Sequence, residues 1–86
     1  MRKMTERVFA YILMDIELGM TDEVVEGLQK IDEATSVAVT TGGYDIVVLL
    51  ETTSLEELYE ITVNKIHKIP GIKDTHTAVV EKIITV

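Results

Sequence analysis

Two segments of this chain are apolar on both faces, and that constrains the fold more than anything else in the sequence. Val8 to Ile16 (VFAYILMDI) is rich in β-branched and aromatic residues and reads as a strand. Side chains alternate across a strand, so Val8, Ala10, Ile12, Met14 and Ile16 share one face, with Phe9, Tyr11 and Leu13 on the other. Asp45 to Glu51 (DIVVLLE) repeats the pattern, with Ile46, Val48 and Leu50 set against Val47 and Leu49. A strand with one wet face would alternate apolar and polar; these need cover on both sides. In a chain of 86 residues, helices can supply one cover. A sheet from a second copy is the simplest source of the other.

The remaining segments supply the helices. Thr21 reads as an N-cap, with Asp22 and Glu23 in the first turn where the helix dipole favours acids. Val24, Val25, Leu28 and Ile31 then follow helical spacing. Gly27 costs that helix about 1 kcal/mol against Ala, so it leans on packing. Ser36 to Thr41 reads as a second strand, joined to the Asp45–Glu51 strand by a short hairpin connection at Gly42-Gly43-Tyr44. Ser54-Leu55-Glu56-Glu57 matches a capping box. The helix it opens carries a stripe of Leu55, Leu58, Tyr59, Thr62, Ile66 and Ile69 and ends at Pro70-Gly71. Ile72 to Val80 is a fourth strand, and Lys82 to Val86 a short apolar tail that extends it or pairs elsewhere. The order is strand, helix, strand, strand, helix, strand. That is the α+β, ferredoxin-like βαββαβ sandwich: a four-stranded antiparallel sheet with two helices on one face. One domain over residues 1–86 is expected.

Composition narrows the function. Asp and Glu total 15 against 8 Lys and Arg, a net charge of −7. Duplex DNA is held by neutralising its phosphates with Lys and Arg, and the only basic pair near an end, Arg2-Lys3, is too little for a groove-binding arm. No apolar stretch reaches the about 18 residues of a membrane span, and MRKMTER lacks a signal-peptide cleavage site. A cytoplasmic protein with no membrane or direct nucleic-acid partner is expected. With no cysteine, and with His67 and His76 off any helical ligand spacing, neither a metal nor another cofactor is expected.

Few residues could carry chemistry. In TTGGYDIVVLLE the two glycines suit the positive φ angles of a hairpin turn. They equally bare the backbone to a ligand, with Asp45 placed to hold a cation such as an α-ammonium. Thr75 and Thr77 share a strand face opposite His76. They are ordinary strand residues, or two hydroxyls for a carboxylate or amide. His76 has no neighbouring nucleophile and reads as a surface or interface residue. His67 reads as serving the helix dipole and solvent, and Asp15 and Glu17 as solvated acids. Tyr11 and Tyr59 are expected in the core with bonded hydroxyls. No phosphate loop, metal motif or triad is present.

The segment TTGGYDIVVLLE, a helix, and then KIPGIKDTHTAVV resemble the Lrp/AsnC family of feast/famine regulators, in their C-terminal RAM (effector and assembly) domain. Thr41, Gly42, Tyr44 and Asp45 stand where the family has its TG-x-YD turn. Ile69, Gly71, Ile72, Thr75 and Thr77 stand in its second motif. The resemblance implies the same βαββαβ fold, dimers formed face to face into an α/β barrel, and an octamer or decamer ring of such dimers. It implies an amino-acid effector bound in a cleft between dimers, with Thr41, Gly42, Gly43, Tyr44 and Asp45 on one wall and Thr75 and Thr77 on the other. Full-length members add an N-terminal helix-turn-helix domain; this chain is expected to be a stand-alone RAM protein that senses amino acids, modulates such regulators by co-assembly, or does both, without binding DNA directly. Two alternatives are an assembly module with no ligand and a small dimeric barrel enzyme of the cofactor-free monooxygenase kind.

Overall fold

The computed structural model describes residues 7–86, and the Arg2-Lys3 pair lies outside them. Strand β1 (Val8–Ile16), helix α1 (Thr21–Gln29), strands β2 (Ala34–Val39) and β3 (Ile46–Thr52), helix α2 (Leu55–Asn64), a short 3-10 turn (Ile66–Lys68) and strand β4 (Ile72–Val79) follow in order. The sheet runs β2-β3-β1-β4 with every pair antiparallel. This is the expected ferredoxin-like sandwich. The two doubly apolar strands are the central pair, which explains why they carry the densest hydrophobic runs.

The even positions of those strands face the helices. Ala10, Ile12, Met14, Ile46, Val48 and Leu50 are wholly buried, and Val24 and Leu28 of α1 and Leu58 and Ile61 of α2 close the core over them. Thr52 is the one buried polar residue among those described, its hydroxyl within bonding distance of the Val8 and Ser54 carbonyls. Buried polar groups require such partners. The odd positions lie on the opposite face, where Phe9, Leu13, Val47 and Leu49 are half-buried and Tyr11 is 44% exposed. No element of the described chain covers that face.

Several expectations move. Thr21 is the first helical residue, not the cap; a turn from Glu17 delivers the chain to Met20, which has no side-chain cap bond. Strand β2 lies two residues earlier than its sequence reading because Thr40 is taken by the connection: its N–H donates to the Asp45 carbonyl at 2.9 Å and its hydroxyl to that of Tyr44. Helix α2 is shorter, breaking into the 3-10 turn after Asn64. Its buried stripe is rotated to Leu58 and Ile61, leaving Leu55 62% and Tyr59 67% exposed. Tyr59 and Tyr11 are therefore not core residues: one sits on the outer flank of α2, the other on the uncovered sheet face. The tail 82–86 is exposed and joins no strand.

Gly27 meets its packing reason at Ile69, whose side chain comes within 3.1 Å of where a Cβ would be. Gly71 is more tightly fixed. Its φ is +101°, a Cβ there would meet Met20 Cβ at 2.9 Å, and its carbonyl accepts the Glu17 N–H at 2.7 Å.

Candidate functional site

The connection between β2 and β3 is built by short bonds. The Asp45 N–H donates to the Met14 carbonyl at 3.0 Å, and Asp45 Oδ2 accepts the Ile16 N–H at 2.9 Å. The aspartate thus pins the loop to the end of β1, beside an irregularity in the β1–β4 ladder. Only one of the two glycines has the backbone of a turn. Gly42 is at φ +107°, whereas Gly43 is not in the positive-φ region. Neither has an atom within 4 Å of an ideal Cβ position, and Thr41, Gly42 and Gly43 are all exposed. Within one copy, Gly43 therefore has no conformational or steric reason to lack a side chain.

Tyr44 reaches across β1 to His76 of β4, ring centroids 5.7 Å apart and edge-on at 63°. His76 lies beside Leu13 in the ladder, on the uncovered face. Thr75 and Thr77 lie beside Met14 and Ile12, on the helix face. The seven residues singled out by sequence thus divide. Thr41 to Asp45 form one connected loop whose aromatic ring lies on the uncovered face; Thr75 and Thr77 point to the other side of the sheet. Thr77 lines a shallow depression with Leu55, Leu58, Tyr59 and Thr62. Thr75 lines a separate cleft of about 370 Å³ with His67, Ile72, Lys73 and Asp74. There His67 Nε2 and Thr75 Oγ1 are 3.2 Å apart.

Sequence reasoning missed the partners of both histidines. The parity of Thr-His-Thr did place His76 opposite the threonines, but nothing local linked it to Tyr44 or linked His67 to Thr75. Among the described residues, no group of His, Asp and Glu is placed to hold a metal ion, and no helix is long and apolar enough to cross a membrane.

Residues 9–85 match the model of the Lrp/AsnC ligand binding domain. The chain belongs to that family. The HTH-type transcriptional regulator FL11 of Pyrococcus horikoshii is 40% identical over 75 residues, which cover 87% of this chain and 49% of that protein. The chain thus spans about half the length of this relative. Among solved structures, FFRP-DM1 superposes with a TM-score of 0.81 at 37% identity, covering 85% of this chain and 97% of that one. Escherichia coli AsnC gives 0.87 at 26% identity, covering 92% and 54%. An Lrp/AsnC ligand-binding domain is a regulatory, effector-binding unit and not an enzyme, so the monooxygenase alternative raised by the fold falls away.

Proposed function

We propose that this Lrp/AsnC domain senses a small amino-acid effector and transmits its binding through homo-oligomeric assembly, either alone or by co-assembly with full-length regulators of its family. The observation that carries the reading is Gly43: an exposed glycine with no backbone or steric need for its missing side chain, beside a tyrosine anchored on an uncovered apolar sheet face. Bare N–H groups at such a point suit a ligand's carboxylate or the close approach of another copy. The free oxygen of Asp45, whose Oδ2 is committed to Ile16, suits an ammonium. In this reading Thr41, Gly42, Gly43, Tyr44 and Asp45 form one wall, and Thr75 and Thr77 reach the ligand from a neighbouring subunit. The net charge of −7 supports a role for these residues that does not include gripping DNA.

Thermal unfolding against the twenty amino acids at millimolar concentration tests it. A ligand at about 100 times its dissociation constant adds about 2.7 kcal/mol to a domain that binds it only when folded. The expected result is a shift of several degrees for one or a few amino acids, together with a change in oligomer size. A flat panel with an unchanged assembly would favour the ligand-free assembly module instead.

A further inference from the structure

The segment Thr75-His76-Thr77 carries one residue that the proposed ligand walls do not use. His76 stands opposite Leu13 on the uncovered face, between two threonines that lie on the helix face. The Val80 N–H donates to the Phe9 carbonyl, and counting back by twos along the antiparallel pair makes His76 and Leu13 exchange both backbone bonds. The N–H and C=O groups of Thr75 and Thr77 then turn outward, away from β1. His76 is therefore the point at which this stretch of β4 is clamped to the sheet. A displacement of His76 carries both threonines with it.

The same residue touches the glycine loop. Its imidazole meets the Tyr44 ring edge-on, and among the described residues this is the only aromatic pair. Rings so placed attract one another beyond the area they bury. A second route leaves the loop through Asp45, whose N–H donates to the Met14 carbonyl and whose Oδ2 accepts the Ile16 N–H. That route ends on β1, at the register shift between Asp15 and Ile16 in the β1–β4 ladder. The Tyr44–His76 contact reaches β4 directly.

In the proposed sensor, the loop of one subunit forms a wall of one ligand site, and Thr75 and Thr77 of that same subunit reach the next site. We infer that the Tyr44–His76 contact couples those two sites, so that filling one favours filling its neighbour. The inference rests on the proposed amino-acid effector and on walls shared between subunits. His76 touches no ligand; it is a positioning residue that acts through Tyr44 on one side and the threonine backbone on the other. Thr41, Gly42 and Gly43 are exposed, with open space around both glycines, so a ligand that binds against them must order the loop. Ordering Tyr44 orders His76 and, through it, Thr75 and Thr77. The neighbouring site then has less left to fix, and its ligand binds more tightly without any new contact. The linkage is reciprocal: a ligand held by Thr75 and Thr77 prepares the loop of their own subunit for another.

Calorimetric titration of the twenty L-amino acids on the full chain tests it. For a binder, successive sites on the wild type should tighten about fivefold after correction for statistics, the lower end of couplings between sites. His76→Ala should make successive sites equal, while the first ligand binds within about twofold of its wild-type affinity, since no contact to it is lost. His76→Phe should restore the tightening, because it keeps a ring for Tyr44 to meet. Tyr44→Leu weakens binding directly, but adding His76→Ala to it should change the ratio of successive sites no further. His76 is exposed. Circular dichroism and sedimentation check that each variant is folded and assembled as the wild type is; where His76→Ala is not, His76→Gln carries the same test. Equal affinities at successive wild-type sites overturn the coupling and leave the sensor reading standing. So does a His76→Ala variant that keeps the tightening, or one that weakens every site alike, which would make His76 a plain support of the loop. A panel in which no amino acid binds removes both.

Discussion

At the scale of single residues, the glycines separate architecture from recognition. Gly71 is held by its φ of +101° and by Met20 Cβ 2.9 Å from where its own would be. Gly71→Ala should therefore cost about 2–4 kcal/mol, from left-handed strain and overpacking together, read as a lower urea midpoint. Gly43→Ala meets nothing within 4 Å and should leave stability within about 0.5 kcal/mol while abolishing the response to amino acids. Equal stability loss in both would mean that Gly43 is architectural. Asp45 is the poorer probe of binding, since its carboxylate also caps the Ile16 N–H. Sequence reading found the loop but not this division of labour. It gave both glycines the turn, because φ is invisible in residue names. It gave His67 to solvent, because Thr75 comes near it only through the fold of the turn against β4.

At the scale of elements, the start of α2 shows what local pattern does specify. The Glu57 N–H donates to Ser54 Oγ at 3.0 Å, as a capping box requires. The return bond goes one residue further out, with Glu57 Oε1 accepting the Thr53 N–H at 2.7 Å and its hydroxyl at 2.9 Å. Those bonds, the backbone one first, hold the Glu57 carboxyl below its ordinary range, with Lys65 and Arg7 adding a smaller pull. A carboxyl whose folded value is depressed contributes fully above its unfolded pKa of about 4.3 and loses that contribution as pH falls through the folded value. The melting temperatures of wild type and Glu57→Gln should thus differ near neutral pH and converge in acid. A constant gap across the range would show that the charge of Glu57 is not what the cap uses. Strand existence and order were legible because short runs of β-branched and aromatic residues, bounded by turn and cap residues, are a strong local signal. The lengths of β2 and α2 were not, since they are set by Thr40 bonding across the loop and by the 3-10 turn after Asn64. The rotated stripe of α2 has the same origin: spacing names a face, but docking on β1 and β3 chooses which side of it is buried.

At the scale of the whole molecule, the chain is a slab only 17 Å thick, one sheet and one helix layer with the second sheet face uncovered. A domain this small removes only about 60% of its unfolded surface from water, so that face is where further stability must come from. Leu49 lies opposite Tyr11 in the ladder and away from the helices. Its replacement by Asp places a charge on the uncovered face without entering the core. If two copies pack face to face, Leu49→Asp must bury an unpaired carboxylate, which costs far more than the lost apolar contact. The wild type should then sediment as a multimer with a melting temperature that rises with protein concentration, because association stabilises by mass action. Leu49→Asp should sediment as a monomer, retain its helical and strand signal at low temperature, and melt lower without concentration dependence. A wild type that remains monomeric at high concentration would remove the second sheet as the cover. The apolar outer faces of β1 and β3 would then be left demanding a partner of another kind, and the full-length regulators of the same family are the next to be mixed with it.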